Sequence, residues 1–389
     1  MSKLLVTEAA GESPVPFLRG ILTRSLIEAG LPFDDAYQTA SEIRQQLEDV
    51  PSVSNDDLRA LVLEHLRLHA SPAIAESYEA RRAPWPGILV RDLNGELRPF
   101  SSAEHRRCLA ACGLDDEQAL NASNMIFTEM GARQWREIAF DELHDLSQLC
   151  LDVHFGRRAA ERYRIWTDFL ESGRPLVLLI GGVTGSGKST IATELAQRFG
   201  IVRTQSTDML REVMRMLIPD RLLPVLHRSS FDAGGVVPEI GDCQNDDLDR
   251  VTEGYRRQLE LLALPCEAVI VRAIRERVSL IVEGVHVHPT LAERCGDTGD
   301  AVLVPMMLGV LKPEQLRSRL SNRGRYAPGR GRHDDPARFR RIWHLQAHLL
   351  DEADRLSVPI LINDDRDKVT TRVLRTVIDV LDDAAEPAS

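Results

Sequence analysis

Apolar residues fall into two rhythms along this chain. From Pro175 to Ile180 the residues Leu-Val-Leu-Leu-Ile run without a polar break, the pattern of a parallel strand buried on both faces. A glycine-rich stretch follows. From Ile191 to Phe199 the apolar residues then recur every three or four positions and stop at Gly200, which predicts a helix with a glycine cap. Val202 to Gln205, Ser279 to Glu283, Ala301 to Met306 and Val358 to Ile362 read as four more short strands. This alternation predicts an α/β domain with a doubly wound parallel sheet over 171–389, whose ligands bind beyond the carboxyl ends of the strands.

The stretch before that domain is written twice. Leu4-Leu5-Val6 matches Ile88-Leu89-Val90, Pro16-Phe17 matches Pro99-Phe100, and Ala29-Gly30-Leu31 matches Cys112-Gly113-Leu114. Ala36 and Ile43 correspond to Ala119 and Ile126, and Ala75-Glu76-Ser77-Tyr78 to Ala160-Glu161-Arg162-Tyr163. Each copy predicts a short strand or hairpin, turned at Gly11 or at Asn94-Gly95, then Pro-Phe and mainly helical sequence. The two prolines and the glycine of the segment from Arg82 to Gly87 mark a boundary, giving repeats over 1–86 and 87–170.

Composition narrows the class. With 43% hydrophobic and 28% charged residues the chain belongs among globular proteins, and no apolar run near Leu176 to Ile180 is long enough to span a bilayer. Glu8 interrupts the N-terminus before a signal-peptide core forms, so a cytoplasmic location is expected. A net charge of −11 argues against nucleic-acid and membrane partners. Six cysteines without a Cys-x2-Cys pair read as buried reduced thiols.

The glycine-rich stretch is a P-loop (Walker A): Gly182, Val183, Thr184, Gly185, Ser186, Gly187, Lys188, Ser189 and Thr190 lie between strand and helix, as the motif requires. Its backbone amides and the helix N-terminus suit the phosphates of ATP, Lys188 reaches the β and γ phosphates, and the Ser189 hydroxyl suits Mg2+. No Asn-Lys-x-Asp guanine motif accompanies it; Asn363, after the last strand, is read as a nucleotide contact near the adenine.

Residues at the other strand ends supply the chemistry. Asp208 opens a helix with Arg211 and Arg215 at three- and four-residue spacings; it is either a helix cap with an ion pair or an acceptor of a substrate hydroxyl proton. Arginine forks bind acidic substrates in a bidentate manner. Glu283 holds the place of a Walker-B carboxylate acting on Mg2+. His227, Ser229, Ser230 and His286 are read as substrate contacts, and the His286-Val-His288 pair lacks further ligands for a metal. Arg317 to Arg332 is the one strongly basic stretch: RNA contact is one reading, but its three glycines and one proline suit a mobile lid with Arg319 and Arg323 over phosphates, ending at Asp335-Pro336.

Two resemblances sharpen these readings. The repeated layout over roughly 3–168 resembles the ATP-cone, a small regulatory nucleotide-binding module. ATP-cones carry a Lys-Arg pair after the first strand; the matching places here hold Thr7-Glu8 and Arg91-Asp92, and Glu8 repels a triphosphate. A helical module that packs on the kinase domain or on a partner is therefore the other reading, and a homo-oligomer would form through these repeats. The stretches Leu179 to Ile191, Ser206 to Arg215, Leu226 to Ser230, Ile281 to His286 and Val358 to Asn363 resemble the 2-phosphoglycerate kinase family. That resemblance implies transfer of the ATP γ-phosphoryl to a small phosphorylated acid, with Lys188, Asp208, Arg211 and Glu283 as catalytic residues. A P-loop kinase for another phosphorylated acid or polyol, and a non-catalytic nucleotide sensor, use the same residues.

Overall fold

The computed structural model describes residues 5–7, 15–17, 19–47, 50, 52–80, 88–92, 95–133, 135–237, 247–296, 298–326 and 335–385. Two compact units divide the chain, Met1–Ile88 and Leu89–Ser389. Gly11, Asn94, the 81–87 boundary segment and the glycine-rich part of the expected lid, 327–334, lie outside the described residues.

The first unit runs β1 (Leu5–Thr7), β2 (Val15–Pro16), α1 (Arg19–Glu28), α2 (Phe33–Gln46), β3 (Ser52–Ser54), α3 (Asn55–His69), α4 (Pro72–Ala80). The second opens with the same series: β4 (Leu89–Arg91), β5 (Leu97–Pro99), α5 (Ser102–Ala111), α6 (Asp116–Ala132), β6 (Glu137–Ala139), α7 (Phe140–Phe155), α8 (Arg157–Glu171). Both sheets have the same plan, with the first strand central, the second antiparallel to it and the third parallel, in orders β2-β1-β3 and β5-β4-β6. The third strands are additions to the sequence reading. Helix starts are set by side chains: Ser54 accepts from the Asp57 amide, and Asp115 forms a capping box with Gln118.

The rest of the second unit is α/β. It comprises β7 (Leu176–Gly181), α9 (Lys188–Phe199), β8 (Arg203–Ser206), α10 (Thr207–Leu217), α11 (Asp247–Arg275), β9 (Leu280–Gly284), α12 (Leu291–Arg294), β10 (Val302–Gly309), α13 (Pro313–Tyr326), α14 (Pro336–Arg355), β11 (Ile360–Ile362) and α15 (Arg366–Asp383). The five strands form one parallel sheet in the order β11-β10-β7-β9-β8. All six residues of β7 are buried, as a central strand covered on both faces requires. On one face Leu176, Leu178 and Ile180 share a core with Tyr163, Trp166 and α15; on the other Val177 and Leu179 meet Cys266 and Ile270 of α11. Trp166 packs on Phe199 with ring centroids 4.9 Å apart, so the α5–α8 segment is part of the wall of this sheet. The expected helix boundaries hold: Gly200 ends α9 in the left-handed region, and Asp335 starts α14, accepting from the Ala337 amide with Pro336 at the first position. Among the described residues no helix is long and apolar enough to cross a membrane.

Candidate active site

The five strands are parallel, so their carboxyl ends lie on one edge of the sheet with the P-loop that follows β7, where the fold rule for open α/β sheets puts a ligand. The loop leaves β7 through Gly182 and reaches α9 with Gly185 at φ 86° and Gly187 at φ 95°, backbone that a side chain strains. Gly187 is also pressed from outside: a Cβ there would collide with Asn363 Nδ2. Lys188 is buried, and its ammonium donates to Val183 O at 2.8 Å, folded back over its own loop. Ser186 is buried, Thr184 half-buried, and Ser189 and Thr190 are exposed at the helix start.

Register brings Glu283 of β9 beside Ile180 of β7 and Ser206 of β8, so its carboxylate stands between the phosphate loop and α10. The Ser189 hydroxyl donates to Glu283 Oε1 at 3.0 Å. These two oxygens are hard donors of the kind that bind Mg2+, brought together from separate elements. Gly284 must follow Glu283 because Thr207 crosses here; a Cβ at 284 would collide with the Thr207 side chain.

On α10, Asp208 and Arg211 form an ion pair at 3.7 Å, with Asp208 exposed and Arg211 mostly buried. Arg211 Nη1 also donates to Arg228 O at 2.7 Å and to Leu226 O at 3.4 Å, which fixes the loop 225–228 against the helix. Arg215 does not join this pair; it is bound to Glu212 at 2.8 Å, because one helical turn carries it past Asp208. His227 Nε2 lies 2.8 Å from Ile218 O and closes the turn after α10. Ser229 and Ser230 are half-buried beside it.

His286 is buried just beyond β9. Its Nε2 lies 3.0 Å from Gln258 Oε1, its ring stacks on Tyr255, and burial lowers its pKa to about 3. Asp208 opposes that shift, whereas Arg211 and Lys188 add to it, so the imidazole feels charges from both α10 and the P-loop. Gln258, 28 residues away on α11, carries no motif that marks it in the sequence.

The base of the expected lid closes the ring. Arg319 Nη2 donates to Asn363 O at 2.7 Å, Asn363 Nδ2 donates to Ser186 O at 2.7 Å, and Gln315 Nε2 donates to Asp364 O at 2.8 Å. Asn363 is thus a brace under the phosphate loop, its amide spent on a loop carbonyl. The side chain of Arg323 lies outside the described residues.

Buried polar atoms that lack a partner among the described residues include Ser186 Oγ, Thr207 Oγ1, Arg215 Nε, His286 Nδ1, Gln315 Oε1 and Arg319 Nη1. None lies among the described residues of 5–171. Unpaired buried groups cost about 1–3 kcal/mol each and are offset where a ligand completes them. Their concentration around the P-loop, α10 and α13 makes this region the candidate ligand site.

The chain is 30% identical over 280 residues to the 2-phosphoglycerate kinase of Pyrococcus horikoshii, covering 72% of this chain and 90% of that protein. It is 30% identical over 297 residues to the 2-phosphoglycerate kinase of Thermococcus kodakarensis, covering 76% and 99%. With that of Methanopyrus kandleri it shares 30% over 304 residues, covering 77% and 89%. No family model matches. A gluconokinase structure from Sinorhizobium meliloti covers 55% of this chain and 94% of its own at 14% identity and a TM-score of 0.27, a likeness too weak to bear on fold or function.

Proposed function

The chain belongs to the 2-phosphoglycerate kinase family, and from that premise we propose that it transfers the γ-phosphoryl group of ATP to the C3 hydroxyl of 2-phosphoglycerate, releasing ADP and 2,3-bisphosphoglycerate. The observation that carries this reading is the meeting of the Ser189–Glu283 oxygen pair and the Asp208–Arg211 ion pair around one P-loop.

Phosphoryl transfer asks a protein mainly for positioning and for charge to match the transferring group. Loop amides and the start of α9 take the β and γ phosphates, and Lys188 exchanges Val183 O for phosphate oxygens. Ser189 and Glu283 are the residues that would hold Mg2+, which when bound neutralises charge on those oxygens. Asp208 takes the proton of the attacking hydroxyl. The substrate carries a carboxylate and a phosphate, and Arg211, Arg215, Arg319 and Arg323 supply guanidinium forks for them. His227, Ser229 and Ser230 line the loop that Arg211 grips. Asn363 acts on the nucleotide side by bracing the phosphate loop. ATP as donor fits a cytoplasmic location.

We read residues 1–86 and 87–170 as ATP-cone-like repeats ahead of a kinase domain over 171–389, with a role in regulation or in homo-oligomer contact. Their common strand and helix order supports one ancestral unit.

The test is ADP release from ATP and Mg2+ with a panel of phosphorylated acids and polyols. 2-Phosphoglycerate should stimulate release most. Equal rates with and without every acceptor would leave a nucleotide sensor in place of a kinase.

A further inference from the structure

Gln258 is wholly buried on α11, and both ends of its amide are in use. Its Nε2 donates to Arg228 O at 2.9 Å and to Val225 O. Carbonyl oxygens only accept, so these two bonds fix the orientation of the amide and turn Oε1 toward His286. Oε1 is itself an acceptor, 3.0 Å from His286 Nε2, so Nε2 must carry the proton. The ring is neutral in this burial, which leaves a bare lone pair on Nδ1. Nδ1 is shielded from solvent and has no partner among the described residues.

The same side chain therefore holds two parts of the acceptor side. It anchors His286 beyond β9 and the loop 225–228, whose carbonyls at 226 and 228 Arg211 also binds. The acceptor named above offers a carboxylate, a phosphate and one hydroxyl. A lone pair repels the two anions and accepts only from the hydroxyl. In a loose phosphoryl-transfer transition state little bond forms to the nucleophile early, so its O–H stays intact until late. A neutral acceptor that orients the hydroxyl without removing its proton has a place there while the O–H is intact; the O–H then turns from Nδ1 to Asp208 as its proton is lost.

We propose that Gln258 is a positioning residue of the phosphotransfer site: it fixes His286 as the Nε2–H tautomer and thereby presents Nδ1 as the hydrogen-bond acceptor for the substrate hydroxyl. This rests on the kinase reading above for the identity of the hydroxyl, but the tautomer does not.

The experiment is 15N NMR of the histidine-labelled full chain, with the His286 resonances assigned by their loss in His286→Gln. A protonated Nε2 and a bare Nδ1 are expected in the free protein at neutral pH. Addition of 2-phosphoglycerate with ADP and Mg2+ should shift Nδ1 and leave Nε2 in place. A protonated Nδ1 in the free protein overturns the proposal, and so does an Nδ1 signal that ignores an acceptor the wild-type chain is seen to phosphorylate. If no acceptor stimulates ADP release, the kinase reading has failed, while the tautomer still decides the role of Gln258.

Kinetics supply a second readout. Gln258→Leu should lower kcat for the acceptor reaction about ten- to hundred-fold with the KM for ATP unchanged. His286→Asn keeps an amide oxygen near the Nδ1 position and should retain more turnover than His286→Gln, which replaces only the Nε2 side. Equal losses in the two histidine variants contradict the assignment.

Discussion

The Ser189 hydroxyl donates to Glu283 Oε1 across 3.0 Å, so the first turn after the phosphate loop is bonded to the end of the adjacent strand. Two positions 94 apart in sequence thereby share one pair of oxygens. Removing the charge of Glu283 while keeping its shape separates electrostatics from packing. Glu283→Gln should lower kcat by about 10²–10³-fold, with a raised Mg2+ requirement and an unaltered unfolding midpoint. Unchanged Mg2+ dependence would remove Glu283 from the metal site.

Asp208 and Lys188 should separate by the step they affect. Asp208→Asn leaves the P-loop untouched, so ATP binding measured by calorimetry should persist while kcat falls about 10²–10⁴-fold. Lys188→Ala removes the ammonium proposed to meet the β and γ phosphates and should abolish turnover. Wild-type rates in either variant would contradict these roles.

Gly284→Ala tests how tightly Thr207 crosses β9. A Cβ at 284 meets the Thr207 side chain and cannot be absorbed by a flexible tip, since Thr207 is itself buried. Overpacking of this kind costs about 1–3 kcal/mol, read as a lower urea midpoint. Thr207→Ala in the same chain should recover part of the loss, and an unchanged midpoint in Gly284→Ala would show that the strand end yields.

Acid should weaken the second unit through His105. Its ring lies between Ser123 Oγ at 3.3 Å and Ser147 Oγ at 3.1 Å, and burial, with a smaller contribution from His144, lowers its pKa to about 3. Between that value and about 6.5 the unfolded chain binds the extra proton. The contribution of His105 is therefore full above about pH 6.5 and is lost as pH falls toward 3, at about 1.4 kcal/mol per pH unit. Urea unfolding from pH 7 to pH 4.5 should show a shallower slope in His105→Gln than in the parent chain; parallel slopes would mean that His105 does not titrate on unfolding.

The P-loop, Asp208 with Arg211, Glu283, and the Asp335-Pro336 helix start were legible because each is set by adjacent residues or by a strand end. The third strands β3 and β6 were not, since Ser52 and Ser54 carry no apolar alternation and the pairing partner lies 47 residues away at Leu5. The partner of Arg215 depends on which side of α10 it faces, and that of His227 on how the chain folds back after α10, Glu212 and Ile218 O having no motif of their own. Gln258 was hidden for the same reason: its three partners, at 225, 228 and 286, meet only after α11 packs across the sheet.

The most direct measurement is 31P NMR of ATP, Mg2+ and 2-phosphoglycerate with the full chain. A second phosphomonoester signal on the acceptor should grow in step with ADP in the wild type and be absent in Lys188→Ala. Loss of ATP signal at the same rate with and without 2-phosphoglycerate, or no loss at all, contradicts transfer to that hydroxyl.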